Sequence, residues 1–108
     1  NGTSKRDFTF VEDLIKIIKL ILKTPKKYND IYNFGASKPI TITNLAKKII
    51  KLTGSKSKIN FIQARRWDKF SKRKANNKKI KKDFKNINFT KIEDGLSQTI
   101  NWMKKFKN

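Results

Sequence analysis

The stretch Gly2-Thr3-Ser4-Lys5-Arg6-Asp7-Phe8-Thr9-Phe10-Val11-Glu12-Asp13 changes its hydrophobic period midway. Asp7 to Phe10 carries aromatic side chains at alternate positions, Phe8 and Phe10, which predicts a short strand. From Val11 the period turns helical and holds to Lys23. On a wheel of about 100° per residue, Val11, Leu14, Ile15, Ile17, Ile18, Leu20, Ile21 and Leu22 fill an arc of about 220°. Lys16, Lys19 and Lys23 fall in the remaining stripe. An ordinary surface helix carries an apolar face only somewhat wider than ~100°. This helix therefore asks for neighbours on two sides, more than a small chain readily supplies.

Working outward, Thr24-Pro25 ends the helix, because proline disfavours helical geometry in the residue before it. Ile31 to Phe34 reads as a strand, Gly35 as a turn, and Pro39 to Ile42 as a second strand suited to a sheet edge. Thr43 is the predicted N-cap of a helix reaching Thr53, with Leu45, Ala46, Ile49, Ile50 and Leu52 inward and Gly54 in the C-cap position. Ile59 to Ile62 predicts a further short strand. Residues 64–74 are basic and irregular, and a short helix follows with Ile80 and Phe84 at i, i+4 spacing. Thr90-Lys91-Ile92-Glu93 fits a capping box, in which hydroxyl and carboxylate satisfy each other's backbone N–H groups. The helix it opens carries Ile92, Leu96, Ile100 and Met103 on one face, with Trp102 beside them. The alternation gives an α/β reading: one small mixed domain, residues 1–108, of short strands and about four helices.

Lys and Arg number 28 against 8 Asp and Glu, a net charge of +20. Such a charge suits phosphate neutralisation, so a small basic nucleic-acid-binding module is the alternative reading. Two features weaken it. Lys, Ile, Asn and Phe make up 58 of the 108 residues, a bias that AT-rich coding favours, and the lysines occur in every predicted helix and in the loops rather than on one element. Arg, the better residue for bidentate phosphate contacts, occurs only at positions 6, 65, 66 and 73. With neither Cys nor His, the chain has no disulfide framework, thiol nucleophile or imidazole base, and no metal site of the usual zinc kind is expected. No apolar run approaches the ~20 residues of a membrane span, and no signal-peptide pattern opens the chain. It begins at Asn1 rather than Met, which suggests a piece of something longer.

Several segments, in order, resemble one family. Residues 2–13, with Arg-Asp-Phe followed by Val-x-Asp, resemble a segment in the C-terminal third of extended short-chain dehydrogenase/reductase enzymes that epimerise or dehydrate nucleotide-sugars. The UDP-glucuronate 4-epimerase branch looks nearest. Ile31-Tyr32-Asn33-Phe34-Gly35 resembles the family's YN(I/L)G strand and turn, and Pro39-Ile40-Thr41-Ile42 the segment after it. Arg65-Arg66-Trp67-Asp68 resembles its Arg-x-(Gly/Trp)-Asp element, 75–84 its short helix, and Ile92-Glu93-Asp94-Gly95-Leu96 the start of its final helix. Lys85, Asn86 and Asn88 depart from the usual Gly, aromatic and Pro at the intervening turn.

The resemblance implies the C-terminal, substrate-binding portion of such a fold without its Rossmann core. It makes Arg6 a ligand of the substrate diphosphate, against the plainer reading of a surface ion pair with Asp7 or Glu12. It sets Arg65 on the opposite side of the same diphosphate, with Asp68 accepting from the ribose hydroxyls or orienting Arg65. Arg66 and Arg73 share that neighbourhood, and a small register change would exchange their roles with Arg65. Trp67 and Phe70 read as loop packing rather than a base-stacking platform, Asp13 as a helix-start carboxylate, and Asp83, Glu93 and Asp94 as surface or capping charges. No catalytic residue is assigned. The four glycines cannot form a dinucleotide fingerprint, and Tyr28 and Tyr32 lack a Lys four residues on, so the chain alone is expected neither to bind NAD nor to turn over. A complete enzyme would be cytoplasmic and use NAD on a UDP- or dTDP-sugar. It would carry an N-terminal Rossmann domain against which residues 1–35 lean; many relatives homodimerise, but through helices upstream of this segment, so the resemblance leaves the oligomeric state open.

Overall fold

The stripe Asp13, Ile17, Ile21 turns one side of the first helix inward, and the elements that meet it define the core. In the computed structural model, which describes residues 2–24, 30–63 and 71–106, the order is β1 (Lys5–Arg6), α1 (Val11–Lys23), β2 (Ile40–Thr41), α2 (Ile42–Thr53), α3 (Lys78–Asp83) and α4 (Ile92–Lys105). Among the described residues, four helices and a two-stranded antiparallel sheet make a mixed α/β arrangement. Lys5 pairs with Thr41 and Arg6 with Ile40.

The core is small. Ile17, Ile80 and Phe84 are buried, and Ile21, Tyr32, Phe34, Ile87 and Phe89 pack against them. The i, i+4 pair Ile80 and Phe84 thus joins α3 to α1. Tyr32 meets Phe84 edge-on with ring centroids 5.5 Å apart, and its hydroxyl donates to Asp83 Oδ2 at 2.8 Å. Asp83 is therefore a structural acceptor and not simply a surface charge. The second packing unit is α2 against α4, with Lys48 and Glu93 paired between them. That contact holds the Glu93 carboxyl below its ordinary range, chiefly through the hydrogen bond from Lys48.

Helix α1 has two apolar sides, and the described residues cover one. Opposite the inward stripe lie Val11, Ile15, Ile18 and Leu22, all exposed, from 44 % at Ile15 to 78 % at Leu22. Thr24, extended before Pro25, ends the helix as the sequence requires. Gly54 ends α2 in the left-handed conformation, φ 64°, which costs glycine nothing. Among the described residues no helix is long and apolar enough to cross a membrane.

Several local expectations are corrected. The strand at Asp7–Phe10 is displaced to Lys5–Arg6: in the antiparallel register the next partner, opposite Asp7, is Pro39, which has no N–H to continue the ladder. Ile31–Phe34 is not a strand: Tyr32 and Phe34 face the core, but no described neighbour pairs with their backbone. Ile59–Ile62 forms no strand either, and Phe61 and Ile62 lie open to solvent. The N-cap of α2 is Thr41, whose hydroxyl accepts from Asn44 N–H at 3.1 Å; Thr43 instead donates its hydroxyl and its N–H to Gly2 O. The capping box at α4 does not form. Thr90 is drawn away by Asp13, Lys91 becomes the N-cap and Glu93 turns to Lys48.

Candidate functional site

Strand β1 is flanked on both sides. Beyond its antiparallel pairing with β2, Lys5 forms a parallel bridge with Lys72: its N–H donates to Ser71 O at 2.7 Å and its carbonyl accepts from Arg73 N–H at 3.0 Å. Bridge partners in a ladder project to the same face, and the next residue of each strand to the other. Arg6 and Arg73 are those next residues. Both line a cavity of about 310 Å³, together with Asp7, Phe34, Gly35, Lys74 and Ala75.

The floor of this cavity is fixed by one carboxylate. Asp7 Oδ2 accepts from Ser37 N–H at 2.9 Å and Ala75 N–H at 3.0 Å, and Oδ1 accepts from Lys38 N–H at 3.2 Å. Three chain segments remote in sequence are thereby held at the cavity. Ser37, at φ 62°, also donates its hydroxyl to Ala75 O at 2.8 Å, and buried Asn77 donates to Gly35 O at 2.8 Å. Gly35 is required by crowding: a Cβ there would lie 2.5 Å from the Ala75 Cβ and 3.0 Å from Asp7 Oδ2.

The resulting electrostatics favour an anion. Among the described residues, three cationic side chains, Arg6, Arg73 and Lys74, line the cavity beside one carboxylate, Asp7, whose oxygens accept from three backbone donors. Guanidinium groups suit phosphate or carboxylate oxygens because their donors are planar and paired. Of the residues named from sequence, Arg6 lies in this cavity, whereas Arg65 and Asp68, with Arg66, Trp67 and Phe70, fall outside the described residues. Arg73, from sequence only an alternative to Arg65, is brought beside Arg6. Sequence reasoning misses Asp7 as organiser, since its partners lie 30, 31 and 68 positions away. Among the described residues no group of three acidic side chains gathers as a metal site would need.

No protein-family profile matches the chain. A curated UDP-glucuronate 4-epimerase of Thermodesulfobacterium geofontis is 32% identical over 107 residues, 96% of this chain and 32% of that protein. The UDP-N-acetylglucosamine 4-epimerase of Methanobrevibacter ruminantium, solved with UDP-N-acetylmuramic acid, superposes with TM-score 0.84 at 23% identity, covering 99% of this chain and 34% of its own. The dTDP-glucose 4,6-dehydratase of Bacillus anthracis, solved with NAD, superposes with TM-score 0.80 at 25% identity, covering 99% of this chain and 33% of its own. Fold and sequence together make the chain a relative of the nucleotide-sugar epimerases and dehydratases in the extended short-chain dehydrogenase/reductase family. Within that class, UDP-glucuronate 4-epimerases of a bacterium and of Arabidopsis thaliana are among its curated relatives. The chain spans about a third of the length of the relatives it matches.

Proposed function

We propose that this chain holds the diphosphate of a nucleotide-sugar for an NAD-dependent epimerase or dehydratase, with Arg6 as the principal ligand. The observation that supports it is the position of Arg6, with Arg73 and Lys74, in a cavity where the Asp7 carboxylate accepts from three backbone N–H groups. A diphosphate carries about two negative charges, and when partly desolvated it needs charge-assisted donors from more than one residue. Arg65 and Asp68 complete the reading as substrate-binding residues, Arg65 on the diphosphate and Asp68 on the ribose.

The contribution of the chain is affinity and orientation. Binding energy realised at the diphosphate, remote from the reacting carbon, holds the sugar in register for chemistry elsewhere. NAD, held by a Rossmann domain outside this sequence, would supply reversible hydride transfer at the sugar. No residue of this chain is given a catalytic role, and the chain by itself is inactive on this reading. The exposed side of α1, Val11-Ile15-Ile18-Leu22, is the face that residues 1–35 turn toward that domain. The setting is cytoplasmic, where NAD and nucleotide-sugars are available.

The test is to express the complete polypeptide encoded by the gene and measure UDP-sugar binding and NAD-dependent turnover. Binding and turnover, both weakened in Arg6→Ala, are expected. A complete protein that binds DNA or RNA with a steep salt dependence, and no nucleotide-sugar, overturns the assignment.

A further inference from the structure

Helix α4 carries one apolar face along its whole length, and the described residues cover only the first part of it. At about 100° per residue, Ile92, Gly95 and Leu96, and then Trp102, Met103 and Phe106, fall within one arc of about 120°. Near the start of the helix this face is turned inside: Gly95 is buried, and a Cβ there would lie 3.3 Å from the Phe10 side chain. At the far end it is open. Trp102 is 61 % exposed, Met103 55 % and Phe106 68 %, and the Trp102 and Phe106 rings pack on each other with centroids 4.9 Å apart. Lys104 and Lys105, the basic residues of the last turn, fall one on either side of this stripe.

The chain has little negative charge to set against its lysines. Asp7, Asp13 and Asp83 accept from N–H and O–H donors within the fold, and Asp30 and Glu93 pair with Lys79 and Lys48. The net charge of +20 is therefore presented outward, by lysines. A basic last turn also answers the helix dipole, but the dipole gives no reason for three large apolar side chains between the lysines. A protein partner would explain the apolar side chains but not their border, because the core of a protein interface is depleted of Lys. Nucleic acid would answer the lysines, but it needs aromatic faces free for its bases, whereas Trp102 and Phe106 lie against each other at 49°. Apolar and aromatic side chains flanked by lysines match the boundary between acyl chains and negatively charged headgroups.

We propose that the end of α4 docks on the surface of an anionic phospholipid bilayer. Trp102, Met103 and Phe106 enter the headgroup–acyl boundary, and Lys104 and Lys105 extend along it to the lipid phosphates. The helix lies on the membrane and does not cross it. The proposal is independent of the diphosphate reading of the Arg6 cavity.

The test is sedimentation of the complete polypeptide with unilamellar vesicles of phosphatidylcholine alone or mixed equally with phosphatidylglycerol. Binding to the mixed vesicles, weakened by salt, and little binding to phosphatidylcholine are expected. Trp102→Ala with Phe106→Ala should lower the partition coefficient by roughly tenfold or more, and so should Lys104→Glu with Lys105→Glu. Lys82→Glu with Lys85→Glu makes the same charge change on and beside α3 and should alter binding far less. Equal losses from the two charge reversals mean diffuse attraction to the whole chain and overturn the proposal. So does vesicle binding that survives loss of both aromatics, or no vesicle binding by the parent. A parent that ignores vesicles but binds a single-stranded oligonucleotide through Trp102 and Phe106, or self-associates through them in sedimentation velocity, assigns the patch to that partner and equally overturns the proposal. Thermal unfolding identifies loss of fold. Where the aromatic pair variant does not fold, the two charge reversals decide: a loss confined to Lys104 and Lys105 supports docking, and equal or absent losses overturn it.

Discussion

Asp13, 2 % exposed, accepts both the N–H and the hydroxyl of Thr90, each at 2.7 Å, and so ties the first turn of α1 to the segment that opens α4. The two residues are 77 positions apart. Asp13→Ala would leave two part-buried donors of Thr90 unsatisfied, at a cost of about 2–4 kcal/mol. Asp13→Asn, which can still accept through one oxygen, should cost less. Chemical denaturation of the two variants beside Thr90→Val checks the order, and equal stability of Asp13→Ala and the parent protein would contradict it.

Gly35 stands where the cavity floor is tightest. Gly35→Ala puts a methyl against Ala75 and Asp7, so the loop or the carboxylate must move. Overpacking of this kind costs about 1–3 kcal/mol. Because Asp7 positions the backbone around Arg6 and Arg73, anion affinity should fall with stability. The paired replacement Gly35→Ala with Ala75→Gly relieves the closest clash and should recover part of both.

The open side of α1 predicts association behaviour. Val11, Ile15, Ile18 and Leu22 form one stripe opposite Ile17, and an exposed apolar surface of this kind draws partners. The 108-residue chain should self-associate with rising concentration in sedimentation experiments. Replacing Ile15 and Ile18 together by Glu should abolish this without lowering Tm, since neither side chain is in the core. A parent chain that stays monomeric at high concentration would count against this account of the helix.

Lys48 and Glu93 join α2 to α4, and the pairing lowers the Glu93 pKa through the hydrogen bond from Lys48. A carboxyl whose folded pKa lies below its unfolded value binds fewer protons in the folded state. Its stabilisation is present above the ordinary glutamate range, about pH 4.3, and disappears as pH falls through the lowered folded value. Both groups are well exposed, so the effect is small and should fade with added salt. Thermal melts of Glu93→Gln against the parent chain should differ slightly at neutral pH and converge in acid.

The helices are legible in the sequence because their information is local. The helical period of Val11–Lys23, the Gly54 cap, and the spacing of Ile80 and Phe84 each depend on residues close together in the chain, whereas the inward turn of Asp13 does not. Strands are over-predicted for a related reason: alternation at Tyr32 and Phe34 reports which side chains face the core, not whether a neighbour pairs with the backbone. Caps fail where a distant competitor exists. Thr90 has a good local partner in Glu93, but a buried carboxylate offering two 2.7 Å bonds from α1 prevails. Arg6 is identifiable through the segment that carries it, whereas the part played by Asp7 is not. Its three donors become neighbours only once 36–38 and 75 are folded onto β1. The proximity of Arg73 to Arg6 has the same origin, a parallel bridge that no local pattern announces.

The central claim is that Arg6 holds a diphosphate. Titration of UDP into the complete polypeptide, parent against Arg6→Ala, measures this directly. The account predicts saturable binding by the parent and a loss of roughly tenfold or more in the variant, as expected for a charge-assisted donor pair. Binding of unchanged affinity in Arg6→Ala, with the fold intact, would contradict it.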